Sequence, residues 1–95
     1  MDAEKILKKA IKKYGVQNQL LQACEELGEL IQAISKYNRK GAVMKDALTE
    51  EIADVLIMIW QIQLIADIDN GAVWVREKGK LDRLDARLEA MEAKP

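Results

Sequence analysis

The chain has 95 residues, 49% of them apolar and 33% charged, with 15 basic and 16 acidic side chains giving a net charge of −1. That composition excludes a disordered chain and is the size of one globular domain, 1–95, with an adequate but not generous core. The balanced charge excludes a global cationic field, so no nucleic acid is expected as partner, and the single cysteine excludes an intramolecular disulfide.

Asp2 is placed to cap a first helix, on which Ile6, Leu7, Ala10, Ile11 and Tyr14 form one apolar stripe. Lys5, Lys8, Lys9, Lys12 and Lys13 fill much of the opposite face and read as a solvated surface. Gly15 is a good residue to end that helix. This charged, amphipathic opening has no signal-peptide pattern, which points to a cytoplasmic protein.

A second helix is predicted from about Val16 or Gln17 to Arg39, with Leu20, Leu21, Cys24, Leu27, Ile31 and Ile34 as its apolar stripe. Cys24 is expected to be a buried small hydrophobe. Gly28, inside the helix, is unfavourable by about 1 kcal/mol relative to alanine, which suggests close approach of another backbone or a ligand. Lys36, Arg39 and Lys40 precede Gly41, a C-terminal signal. Their charges suit either the helix dipole or an anionic ligand.

Gly41 to Lys45 reads as an interior loop, after which Asp46 or Thr49 is positioned to cap a third helix running to about Ala66. Val55 to Ala66 carries no charge, yet these twelve residues fall short of the roughly 18–20 that a membrane span needs. Leu56 to Trp60 are consecutive apolar residues, so this helix is apolar nearly all round and must be covered on every side. One short chain has too few neighbours to do so, and a homodimer or higher oligomer such as a homotetramer is expected. The turn formers Asp67 to Gly71 break the chain again, and a fourth helix is predicted from about Gly71 to Ala93, with Leu81, Leu84, Leu88 and Met91 repeating at helical spacing. The class is all-α: a four-helix, bundle-like protomer with three long helices and one shorter.

Two acidic pairs stand out. Glu26 and Glu29 are three apart on the second helix; Glu51 and Asp54 are three apart at the start of the third. Residues at that spacing share a helix face with Cβ atoms roughly 5–6 Å apart. Two like charges at roughly 5 Å repel by about 3 kcal/mol at an effective dielectric of about 20. A chain that draws such pairs toward its apolar interior calls for a compensating cation. If the two helices pack antiparallel, four carboxylates converge, and hard oxygen donors in that number select Mg²⁺ or Mn²⁺. Di-iron centres built on Glu-x-x-His are ruled out because the chain has no histidine. Zinc is disfavoured for the same reason. Against this stands the common alternative, in which a single Glu-x-x-Glu is a solvated face with local salt bridges.

Glu26-Leu-Gly-Glu29, an intervening stretch, and Glu51-Ile-Ala-Asp54 form the double motif E-x-x-E then E-x-x-D, set in Glu25-Glu26-Leu27-Gly28-Glu29-Leu30 and Glu50-Glu51-Ile52-Ala53-Asp54-Val55. In this the chain resembles the MazG-like members of the all-α nucleoside triphosphate pyrophosphohydrolases, most distinctively from about Leu20 to Ala66. The resemblance implies Mg²⁺-dependent hydrolysis of a nucleoside triphosphate between its α and β phosphates. It implies Glu26, Glu29, Glu51 and Asp54 as metal ligands, with one of them, or Glu25 or Glu50 beside them, as general base. For the triphosphate, candidate cations are Lys36, Arg39 and Lys40, and Lys78, Lys80, Arg83 and Arg87; the resemblance favours Lys80 and Arg83. Asn70 is a candidate for sugar or base but suits a turn better. Trp60 and Trp74 are candidates for base stacking, Trp60 being expected in the core. The competing function is a non-catalytic helical interaction or regulatory module, or a nucleotide sensor on the same site.

Overall fold

The computed structural model describes residues 1–94, and Pro95, the end of the expected domain, lies outside the described residues. Among the described residues every regular element is helical: α1 (Ala3–Tyr14), α2 (Val16–Lys40), a 3₁₀ turn (Gly41–Met44), α3 (Lys45–Ala66) and α4 (Asn70–Glu92).

Local chemistry sets most of these boundaries. The Asp2 carboxylate accepts a hydrogen bond from the Lys5 N–H at 3.1 Å and so caps α1. Gly15 ends that helix at φ 92° and ψ 148°, a conformation open to glycine, and its N–H returns to the Ile11 carbonyl. Gly41 at φ 72° does the same for α2, its N–H bonding the Tyr37 carbonyl. The residues expected as a loop between α2 and α3 wind instead into the 3₁₀ turn, which carries the chain directly into α3. Neither Asp46 nor Thr49 caps α3; the residue before it is Met44, and no side chain closes the first turn. Thr49 is already inside the helix, where its hydroxyl donates back to the Lys45 carbonyl at 2.8 Å. Asp67 ends α3 in the left-handed conformation, and Asp69 caps α4 by accepting from the Gly71 N–H at 3.0 Å. Asn70 accordingly belongs to α4 and not to the turn.

Packing is concentrated in α1, α2 and α3. α2 and α3 pair antiparallel along much of their length, and α1 lies across both. The buried apolar residues are few and small: Leu7, Ala23, Ala33 and Val55. α4 has no buried residue. The expected four-helix, bundle-like protomer is therefore corrected: three helices pack together, and α4 lies apart from that body. The chain measures 59 × 35 × 26 Å with a radius of gyration of 17.4 Å, against about 12 Å for a compact domain of this length. The amphipathic stripe of α4 made it look like a fourth bundle member, but within one chain its apolar side has nothing opposite it.

Three further expectations change. Cys24 is exposed, because it falls beside the face of α2 that carries Ala23 and Glu26 rather than on it. Trp60 is 44% exposed rather than core. Gly28 is not approached by another backbone of this chain, since a Cβ added there would meet no other part of the chain within 4 Å. No described helix is long and apolar enough to cross a membrane.

Candidate metal centre

The α2/α3 pair brings the two acidic motifs together. Antiparallel pairing sets Glu26 on α2 opposite the first turns of α3, where Glu51 and Asp54 lie. One carboxylate oxygen from each of Glu26, Glu51 and Asp54 can be chosen so that all three lie within 4.8 Å of one another. Glu26 and Glu51 are half-buried. Each has one oxygen, Oε2, shut away from solvent with no hydrogen-bond partner. A buried carboxylate oxygen without a donor carries an uncompensated desolvation cost. Two such oxygens on neighbouring residues of like charge are what a cation would relieve.

Burial and neighbouring charge also act on the ionisation of Glu26. The Glu26 pKa is raised above its ordinary 4.5, first by desolvation, with the charges of Glu29 and Asp54 adding to the rise. A hydrogen bond from Gln22 Nε2 to Glu26 Oε1 at 3.0 Å works the other way and holds the carboxylate in place. Gln22 was not among the residues the sequence singled out, although a glutamine one turn before an acidic residue is a recognisable helical pair. Among the described residues the ion pairs are Lys8–Glu4 at 3.6 Å and Lys78–Asp82 at 3.0 Å, so no lysine or arginine of this chain neutralises the acidic group.

The other candidates fall outside the cluster of three. Glu29 is exposed, close enough to Glu26 to affect its ionisation but not part of the three-oxygen group. Glu25 and Glu50 are exposed beside the motifs. Lys36 and Arg39 are exposed near the end of α2, about 15 and 20 Å along the helix axis from Glu26. Lys80 and Arg83 are exposed on α4. They belong to a stripe with Arg76 and Arg87, spaced four, three and four residues apart, hence on one flank of the helix. A cleft of about 620 Å³ lies elsewhere, between the start of α1 and the α3–α4 turn, lined in part by Lys8, Trp60, Gln63 and Asn70, and includes none of the carboxylates. The carboxylates are marked by their chemistry and not by cavity size.

A family profile described as MazG nucleotide pyrophosphohydrolase domain matches residues 14–83, well over half of the chain. The chain belongs to this family. The matched span takes in all of α2 and α3 and the first half of α4, and so the whole MazG acidic group. No curated protein and no solved structure matches this MazG chain. Membership gives nucleotide pyrophosphohydrolase chemistry as the family's activity, and the structure brings together three carboxylates that could hold a metal ion.

Proposed function

We propose that this protein is a cytoplasmic, Mg²⁺-dependent nucleoside triphosphate pyrophosphohydrolase, cleaving between the α and β phosphates to release the monophosphate and pyrophosphate. The observation that carries the proposal is the convergence of Glu26, Glu51 and Asp54 oxygens within 4.8 Å, two of the residues holding an unpartnered buried oxygen. An all-oxygen, all-carboxylate donor set suits Mg²⁺ or Mn²⁺, and Glu29 beside Glu26 is the fourth carboxylate of the double motif. When bound, such an ion supplies Lewis-acid polarisation of phosphate oxygens and lowers the pKa of a coordinated water.

The chain's own residues do the rest. Gln22 orients Glu26 through its amide. For the general base our candidates are one of the ligand carboxylates or the exposed acidic residues beside them, Glu25 or Glu50. The unpaired cations Lys36, Arg39, Lys80 and Arg83 are the candidates for the substrate's phosphate charge.

We place the site in a homodimer or homotetramer. The isolated chain exposes 7837 Å², roughly 2,300 Å² more than a folded monomer of its 10.8 kDa mass is expected to expose. Two copies together would carry about twice that excess, about 4,600 Å², which falls within the roughly 2,000–5,000 Å² that permanent dimers bury in total. The exposed residues include Leu56, Ile57, Ile59 and Trp60 on α3 and Leu81, Leu84 and Leu88 on α4.

The test is a panel of NTPs and dNTPs incubated with Mg²⁺, scored for monophosphate and pyrophosphate. Inorganic phosphate as the main product would overturn the stated bond specificity. A chain that turns over none of them and shows no change in melting between Mg²⁺ and EDTA would instead be a helical interaction module.

A further inference from the structure

Besides the carboxylates, the α2/α3 interface buries one polar pair that the proposed chemistry does not use. Gln19 Nε2 donates to Gln61 Oε1 at 2.6 Å, and the two residues are 8% and 4% exposed. The pair is tied to the acidic group by spacing. Gln19 lies seven residues before Glu26 on α2, and Gln61 lies seven residues after Asp54 on α3. Seven residues are two helical turns, about 10.5 Å, so each glutamine sits on the same face as its acidic residue, displaced equally along the two antiparallel helices.

The 3₁₀ turn Gly41–Met44 ties the two helices at the opposite end of the interface, and near the glutamines few buried contacts select an axial position. The interface's fully buried apolar members, Ala23, Ala33 and Val55, are small, and the larger Leu30, Met58 and Ile62 are only half-buried. The amides do not tolerate an axial slip. A displacement of one turn, about 5.4 Å, would set Gln19 opposite Ile57 or Ile65 and leave two buried amides without partners. The same slip would set Glu26 opposite Glu50 or Met58, and its size exceeds the 4.8 Å within which the three carboxylate oxygens now lie. In some helical assemblies a buried polar pair of this kind fixes register where apolar residues alone do not.

We propose that Gln19 and Gln61 are positioning residues, whose hydrogen bond sets the register of α2 on α3 and so brings Glu26 against Glu51 and Asp54. The importance of that register rests on the acidic group being a metal site; the register itself does not.

The test is the pair Gln19→Met/Gln61→Met, which keeps side-chain length and removes the amides. Register is read without metal, in EDTA, by pulsed electron paramagnetic resonance between spin labels on Asn18→Cys and Thr49→Cys in a Cys24→Ser background, diluted with unlabelled chain. Metal binding is read separately by titrating Mn²⁺ and following the free ion. With the glutamines present a single narrow distance is expected. The methionine pair is expected to add a second population several ångströms away and to weaken Mn²⁺ binding at least tenfold, while melting no lower than the parent in EDTA. An unchanged distance distribution, or Mn²⁺ affinity within twofold of the parent, overturns the proposal. Should the methionine pair not fold, Gln19→Leu/Gln61→Leu is read in the same two ways. A parent protein that binds no Mn²⁺ would sink the metal site instead, and the label distances would still decide whether the glutamines set the register.

Discussion

Neutralising Glu51 should stabilise the metal-free protein while removing its response to magnesium. Its Oε2 is buried and accepts no hydrogen bond, so Glu51→Gln takes away charge without breaking a bond to that atom. What it removes is repulsion from Glu26 and Asp54, whose nearest grouped oxygens lie within 4.8 Å. At that distance two unit charges repel by about 0.9 kcal/mol in water and about 3.5 kcal/mol at an effective dielectric of 20. Glu51 is only half-buried, so solvent screens part of this repulsion. The gain therefore falls toward the lower end, about 1–2 kcal/mol. For a domain of this size each kcal/mol moves Tm by roughly 4–8 °C. Thermal melts in EDTA, at matched protein concentration, should place Glu51→Gln at least about 4 °C above the parent. In millimolar Mg²⁺ the parent should gain stability by binding the ion and the variant should gain much less. A variant that melts at or below the parent in EDTA, or keeps the full Mg²⁺ shift, would refute the idea that these carboxylates strain one another around a cation site.

Three other outcomes are expected. Because the folded pKa of Glu26 is raised, its contribution to metal-free stability is present below its unfolded value near 4.5 and is lost as pH rises through the higher folded value. Urea melts in EDTA from about pH 4 to about pH 7 should thus show the parent losing stability relative to Glu26→Gln, and parallel curves would contradict the shift. Gly28→Ala should stabilise the protein by about 0.5–1 kcal/mol, since it lies inside α2 with open space where a Cβ would stand; a chemical melt showing a loss instead would place a second copy against that glycine. Leu56→Asp, at a residue of α3 that is 60% exposed in the single chain, should shift the protein toward a poorly folded monomer in light scattering coupled to size exclusion, and an unaffected oligomer would place the interface elsewhere.

The helical class and most helix ends were legible because they depend on neighbours in sequence. Asp2, Gly15 and Gly41 act through bonds to residues three or four positions away, which spacing alone reveals. The acidic motifs were legible for the same reason, each being one helical turn of a single element. Where reading failed, the missing information was which face meets which. Cys24 and Trp60 lie in apolar surroundings along the chain yet remain exposed, because α2 and α3 turn other residues toward each other. Thr49 has a capping side chain, but the 3₁₀ turn lets α3 begin at Lys45, before the residue could act as a cap.

Sequence by itself determined that the chain is helical, that it carries two acidic pairs without histidine, and that its third helix is too apolar to stand alone. These are properties of composition and of the 3.6-residue period. Tertiary structure decided that Glu26 meets Glu51 and Asp54 while Glu29 stays at the surface, that two of these carboxylates hold an oxygen with no donor, and that α4 lies off the packed body. Those outcomes turn on the axial register and rotation of α2 against α3, where a shift of one turn would part the carboxylates, and no local preference encodes it.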